Sequence, residues 1–431
     1  RQGPAAGAEA ELLRTDAFLT YAAHLAGGRV LPQDVEEDWE PLAREADPVA
    51  VLERALAGDC VAEALEALAP ADPGYRALRR ALARYRAIAA GGGWPGLAKP
   101  PVLHPGDRSP AAAVLRARLA LEGYLESGEG PGVMDGVLVG ALRAFQAAHG
   151  LDADGVAGRA TWGALQVPAT ERAAQIQANL ERWRWRRGEP APRYLRVNVP
   201  AFRLEAVEGG ETVLSLAVVV GRGEDPTPAF AGRVTHVVVN PSWSVPPEIA
   251  QNELLPEVVK DPGLLARRGF RLLRGWGEGS EELDPASVDW ASVTVAQGPL
   301  HFRQGPGPAN ALGRLKFLVP NRFRVYLHDT PARGLFGKAR RDFSHGCIRV
   351  DRPEELAAYL FRNDRRWDPE ALRAAIDAGE ERTIPLSAPV PVHLEYFTAW
   401  SDGDGPAHFR ADIYGRDGRL DAALSAGPPS T

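Results

Sequence analysis

The sequence predicts a multidomain α+β protein, helical over roughly its first 190 residues and β-rich beyond. Three observations carry that expectation. The chain has 431 residues, more than one ordinary domain holds. Its apolar residues recur at spacings of three and four up to about residue 187, then at a spacing of two from Tyr194. A Gly- and Pro-rich stretch from Gly91 to Pro110 interrupts the helical part and sets a boundary near residue 100.

The helical elements follow in order. Leu12–Leu25 and Val49–Leu68 each repeat apolar residues along one helical face, and Asp16 is placed to cap the helix carrying Phe18, Tyr21 and Leu25. Pro32, Pro41, Pro48, Pro70 and Pro73 divide the segment into short helices. Cys60 falls in the second helix beside Leu56, Val61 and Leu65, where a small apolar thiol would pack in a core. Ser109-Pro110 is a helix start, serine as cap and proline in the first turn. Val114, Leu115, Leu119 and Tyr124 then form an apolar face. A further helix carries Leu138, Leu142 and Phe145 and ends at Gly150. The tight turn Asp154–Gly158 leads into a short helix with Trp162 and Leu165. Residues 170–187 read as one amphipathic helix with Ile176, Leu180 and Trp183 on one face, ended by Pro190 and Pro192.

In the second half, Tyr194–Val207 and Thr212–Val220 flank Glu208-Gly209-Gly210-Glu211 and predict a β-hairpin. Val234–Asn240 and Arg324–His328 are further strand-like runs. Between them, residues at about 246–300 carry a Pro-rich helical stretch and a Gly-rich stretch. An insertion of that size reads as a cap over a site. The tail alternates again from about residue 386 and adds strand to the same sheet.

Composition narrows the function classes. Fifty basic and 56 acidic residues leave a formal net charge of −6, without the basic excess that binding to nucleic acid requires. Only Arg182–Arg187 joins basic and aromatic residues, and it reads as a solvated helix end. No apolar run approaches the roughly 18–20 residues of a membrane span. The chain opens RQGPAAGAEA, with neither Met nor a hydrophobic signal core. It is therefore expected to be either cytosolic or exported with its targeting segment removed. Two cysteines are too few for a disulfide framework.

Chemistry concentrates in Tyr326-Leu327-His328-Asp329-Thr330 and Ser344-His345-Gly346-Cys347-Ile348-Arg349-Val350. A thiol needs a base or a cation nearby to act as a nucleophile, and His345 and His328 both qualify. On an extended strand His345 and Cys347 would face the same side. Gly346 permits close approach of a carbonyl to the backbone, and the Gly346 and Cys347 N–H groups could form an oxyanion hole. From the residues alone, other readings stay open: a buried structural thiol, a Cys60–Cys347 disulfide, or a zinc site of Cys347, His345 and His328 lacking a fourth ligand.

The pattern H-x15-S-H-G-C-x-R resembles the L,D-transpeptidase (YkuD-type) catalytic domain. The resemblance extends to NPSWSVP at 240–246, RQGPGPANALGRLKF at 303–317, VYLHDTP at 325–331 and PVPVHLEYFTAW at 389–400, all similar to the larger YcbB-like Gram-negative type. The opening ELLRTDAFLTYAAHLAGGRV resembles the scaffold domain of that type. Residues 101–168, with FQ…GL…DG and the following Gly and Thr, resemble a three-helix peptidoglycan-binding module.

That resemblance implies a helical scaffold domain over 1–100, a peptidoglycan-binding-like module over 101–168 and a connecting helix over 169–192. It further implies a β-sandwich-like catalytic domain over 193–385 with its cap, and a C-terminal extension over 386–431 packing on the catalytic domain. It implies that Cys347 is the nucleophile and His328 the base, oriented by the backbone carbonyl of Asp329. His345, Gly346 and Ser344 would shape the oxyanion hole, Arg349 would pair with a substrate carboxylate, and Tyr326 and Trp243 would line the pocket. The implied reaction joins two diaminopimelate residues of peptidoglycan stem peptides in a 3→3 cross-link through a cysteine thioester. L,D-carboxypeptidase action at the same site and a noncatalytic wall-binding scaffold are the alternatives. The implied setting is the periplasm, with no metal or organic cofactor, no nucleic acid, penem β-lactams as inhibitors and other wall-synthesis enzymes as partners.

Overall fold

The computed structural model describes residues 4–36, 39, 47–94, 100–186, 191–275, 277, 279–290, 293, 300–403 and 405–426. Pro41, Pro95, Arg187, Pro190 and residues 294–299 of the expected cap lie outside the described residues. Two compact units divide the chain. The first holds Arg1–Pro190, Asn198–Ala201 and Glu395–Thr431; the second holds Ala191–Val197 and Phe202–Leu394.

The first unit is helical: α1 (Pro4–Gly27), α2 (Pro32–Val35), α3 (Pro48–Gly58), α4 (Val61–Leu68), α5 (Pro73–Ala90), α6 (Pro110–Leu121), α7 (Gly136–Ala148), α8 (Arg159–Gln166) and α9 (Ala169–Arg184). Asp16 caps nothing, because α1 begins twelve residues earlier and runs through it. The single helix expected over Val49–Leu68 is two. Asp59 takes φ +50, which ends α3, and Cys60 becomes the half-buried N-cap residue of α4. Ser109 caps α6 by accepting from the Ala111 N–H at 3.2 Å, and Asp135 caps α7 by accepting from the Leu138 N–H at 2.9 Å. Leu115, Leu119, Leu138, Leu142, Phe145, Trp162 and Leu165 meet in one core. The Gln146 amide fastens the Asp154–Gly158 turn to that core, donating to Asp154 Oδ1 and the Val156 carbonyl and accepting from Gly155 N–H.

Helix α9 is not a connector. Its Ile176, Leu180 and Trp183 share a core with Leu78, Tyr85, Phe397 and Phe409. The C-terminal segment therefore divides: it supplies strand to the second unit up to Leu394, whereas the described residues from Glu395 to Ala426 group with the helical unit. Buried charges lock the same arrangement. Arg182 pairs with Glu36 at 3.2 Å and Asp417 at 2.5 Å, and Arg416 pairs with Glu36 at 2.9 Å. Arg182 is thus an interior residue, and the expectation of a solvated helix end fails there.

The second unit is built on β1 (Arg193–Asn198), β2 (Arg203–Glu208), β3 (Glu211–Gly221), β4 (Phe230–Val239), β5 (Trp243–Ser244), β6 (Phe270–Arg274) and β7 (Glu281–Leu283). It continues with β8 (Leu300–Gln304), β9 (Leu315–Leu318), β10 (Leu327–His328), β11 (Asp342–Ser344), β12 (Ile348–Val350) and β13 (Arg382–Glu395). The hairpin is β2–β3 with Gly209 and Gly210 at its turn, both with positive φ. Its first strand was expected from Tyr194, but the chain turns at residues 199–202 and makes β1 and β2 separately. The main sheet runs β11-β3-β12-β10-β9-β4-β13-β1-β2, and a β3–β2 pairing closes the row on itself. A smaller sheet, β5-β8-β6-β7, belongs to the insertion, which spans residues 243–304 and has its own core around Leu254, Val258, Leu272 and Phe302.

His149 supplies a prediction for the helical unit. Its Nδ1–H donates to the Phe145 carbonyl at 2.8 Å, its ring stacks on Phe145 at 3.8 Å, and burial holds it well below the ordinary histidine pKa. A depressed histidine leaves the native state unprotonated while the unfolded chain takes up a proton below about pH 6.5. Stability therefore falls as pH drops below that value, by up to roughly 1.4 kcal/mol per pH unit for this group. Denaturant melts between pH 7 and 5 should show a shallower pH slope in His149→Gln than in the wild type.

Candidate active site

Strands β10 and β12 lie parallel, with Leu327 opposite Ile348 and His328 opposite Arg349. Leu327 and Ile348 point into the core, so His328 and Arg349 share the other face. Continuing the register by one residue sets Tyr326 beside Cys347, and the Ile348 N–H donates to the Tyr326 carbonyl at 3.1 Å. Tyr326 pulls the Cys347 thiol down against the effect of its burial. Tyr326, His328, Cys347 and Arg349 are thereby brought onto one face by two short strands.

His328 is fixed from behind. Its Nδ1 donates to the Asp329 carbonyl at 2.5 Å, which leaves Nε2 as the proton acceptor. The Asp329 carboxylate does not face a ligand: it is buried and accepts from Thr330 N–H at 2.6 Å, Arg314 N–H at 2.8 Å and Arg333 Nη2 at 2.5 Å. These bonds hold the peptide whose carbonyl orients the imidazole. Asp329 is a positioning residue, in keeping with the expected role of its backbone carbonyl.

The segment Ser344–Cys347 is a turn and not an extended strand. Gly346 takes φ +92, so His345 and Cys347 do not share a strand face, and His345 instead sets its Nε2 at 2.6 Å from Glu253 of the insertion. Glu253 also lies 3.6 Å from Arg222. Ser344 is buried and donates to the Cys347 carbonyl at 2.5 Å, so it shapes the turn and makes no surface for substrate. The Gly346 carbonyl accepts from Thr227 Oγ1 at 2.8 Å, and Thr227 Oγ1 accepts from Gly221 N–H at 2.9 Å. The Ser344 carbonyl accepts from Arg222 N–H at 2.9 Å. Trp243 is half-buried and packs on the insertion's core, its ring 6.2 Å from Phe270.

Burial and neighbouring cations set the electrostatics. Burial, then Arg349 and finally Lys316, push His328 down to about 3 against the pull of the Asp329 carbonyl, so the imidazole is neutral at pH 7. Burial pushes the Cys347 thiol up, while Tyr326, Lys316 and Arg349 pull it back. Cys60 and Cys347 are both free thiols, which removes the disulfide reading. Among the described residues no group of three or more His, Cys, Asp or Glu forms a metal cluster.

Thr227, Lys316, Glu253 and Gly313 are site residues the sequence reading missed. Lys316 carried the one usable signal: it is one of four lysines against 46 arginines. Gly313 has φ +59, and a Cβ there would fall 2.3 Å from the Asp329 carboxyl carbon. Gly313→Ala should therefore lower stability by about 1 kcal/mol or more and slow alkylation of Cys347, by displacing the carbonyl that orients His328. Thermal melts and thiol-labelling rates check this against Gly334→Ala, where a Cβ meets open space.

Comparisons with known proteins match three segments of the chain. Residues 192–367 match the L,D-transpeptidase catalytic domain, residues 1–82 the scaffold domain, and residues 108–165 the domain described as "Putative peptidoglycan binding domain". A Haemophilus influenzae protein described as "Putative L,D-transpeptidase" is 34% identical over 227 residues, covering 53% of this chain and 45% of its own length. The chain thus spans less than half the length of that curated relative. Among solved structures, an L,D-transpeptidase from Xylanimonas cellulosilytica (residues 123–326) overlaps 70% of this chain and 100% of its own, at 17% identity and TM-score 0.22. One from Stackebrandtia nassauensis overlaps 69% and 97%, at 14% identity and TM-score 0.25. These structural overlaps are loose, and the assignment rests on the domain matches. The chain thus carries a segment at residues 192–367 that matches the L,D-transpeptidase catalytic domain, alongside segments that match a scaffold domain and a peptidoglycan-binding domain.

Proposed function

We propose that this protein transfers an acyl group between peptidoglycan stem peptides, forming 3→3 cross-links through a thioester on Cys347. The observation that carries this reading is the face shared by Cys347, Tyr326, His328 and Arg349, with His328 neutral and its Nε2 free to accept a proton by tautomer. Cys347 Sγ attacks the carbonyl carbon of the donor's diaminopimelate residue. The thiol proton moves by way of His328 Nε2 to the departing D-Ala nitrogen as the C–N bond breaks. The acceptor's diaminopimelate amine then attacks the thioester, its proton returns through His328 to sulfur, and a new amide forms. With two cations beside it, His328 is a poor resting place for that proton, so the transfer is concerted with bond making and breaking.

The positive φ of Gly346 and the anchored carbonyls of the turn support the N–H groups of Gly346 and Cys347 as oxyanion donors. Arg349 is suited to a substrate carboxylate, since its Nε is buried without a partner among the described residues. The insertion serves as the cap, held by Glu253 on His345 and Arg222. No described helix is long and apolar enough to cross a membrane, and the wall substrate supports action in the periplasm.

Incubation with a carbapenem should add one acyl group to the intact wild-type protein and none to Cys347→Ala, read by mass spectrometry. His328→Ala should slow that acylation by about 10²–10⁴-fold. Digests of peptidoglycan treated with the wild type should contain diaminopimelate–diaminopimelate dimers. Tripeptide stems without dimers would favour hydrolysis over transfer.

A further inference from the structure

Three basic groups line up across the sheet beside Cys347. In the antiparallel β9–β10 pair Lys316 stands opposite His328, and in the parallel β10–β12 pair His328 stands opposite Arg349. Laterally paired residues share a face, so Lys316, His328 and Arg349 form one row, with Tyr326 and Cys347 in the next. Lys316 is half-buried, and its Nζ lies 3.9 Å from the centroid of the ring of Tyr326, the residue that the β10–β12 register sets beside Cys347. No carboxylate lies within 4.0 Å of Lys316 among the described residues. A half-buried ammonium held only by an aromatic face has unused electrostatic capacity.

The anion that completes this arrangement is the thiolate. His328 cannot supply the positive charge, because burial and then the neighbouring Arg349 and Lys316 keep it neutral. Arg349 is shared with the cap, where Glu253 exerts a counter-pull. Glu381 acts on Lys316 only from a distance, as its carboxylate accepts from the Ser242 hydroxyl and lies 3.4 Å from Arg303. The titratable and charged groups around Cys347 are thus Lys316 on β9, Tyr326 before β10, the neutral His328 on β10, Arg349 on β12 and the more remote Glu253 and Glu381.

We infer that Lys316 is a positioning residue for the acyl-transfer reaction proposed above, stabilising the Cys347 thiolate through space across the Tyr326 ring. Arg349 is then left for the substrate's carboxylate. A lysine standing out in so arginine-rich a chain fits the role, since a compact ammonium sits over one ring where a guanidinium fork would reach further.

The test is the pH dependence of Cys347 alkylation by iodoacetamide, a neutral reagent that reads the thiolate fraction without any wall substrate. It is run on the full chain and followed by peptide mass spectrometry so that Cys60 is read apart. Lys316→Met keeps an unbranched apolar stem over Tyr326. Its rising limb should move to higher pH, with alkylation at pH 7 roughly tenfold slower. Lys316→Arg should recover most of the rate. A merely structural lysine would lower the melting temperature and leave the pH midpoint in place. A Lys316→Met profile that superimposes on the wild type, or a Lys316→Arg profile displaced as far as that of Met, would overturn the assignment. Failure of the functional reading looks different: the wild type would form no carbapenem adduct and no dimer while alkylation still responded to Lys316.

Discussion

The parallel pairing of β10 with β12 is the constraint on which the site depends. Each strand is only two or three residues long, yet their register decides which side chains meet. Leu327, Ile348 and Val350 face the core and hold the pair by burial. The alternate positions then carry Tyr326, His328, Cys347 and Arg349 onto the opposite face. A slip of one residue would exchange the catalytic set for the apolar one, so packing and chemistry are enforced by the same contacts. The neighbouring turns protect that register: Asp329 ties three donors behind His328, and Ser344, Thr227 and Arg222 occupy the carbonyls around Gly346.

Electrostatics follows from the same placement. Two cations flank the imidazole in lateral register, so the face is built to favour negative charge on sulfur or substrate and to disfavour positive charge on His328. Proton transfer is then best made in flight, with the thiolate stabilised by fixed cations instead of by an imidazolium partner. The insertion enters this field through Glu253, which meets His345 and Arg222 and lowers the positive potential on the side of Arg349.

Much of this was legible in the sequence where local pattern and local structure agree. The Ser109-Pro110 helix start, the face of Leu115 and Leu119 and the Gly209-Gly210 hairpin follow from residues close in the chain, and the pairing of His328 with the Asp329 carbonyl was implied by the family resemblance. Misreadings arose where one backbone angle overrides a pattern. Asp59 splits an apparently continuous helix, and Gly346 breaks the alternation that would have set His345 beside Cys347. Other features depend on long-range contacts that no spacing reveals. The core joining Phe397 and Phe409 to α9, the burial of Arg182 against Glu36, the Asp329 clamp on Arg314 and the row containing Lys316 are of this kind.

The central claim is that His328 is a neutral imidazole whose Nδ1–H is held by the Asp329 carbonyl beside an un-ionised resting thiol. Nitrogen chemical shifts of His328, measured by NMR in the unmodified protein from pH 8 to 5, address it directly. A protonated Nδ1 and an unprotonated Nε2 that persist across this range are the expected result. An imidazolium signal at pH 7 that disappears in Cys347→Ala would show a thiolate–imidazolium pair at rest and contradict the account.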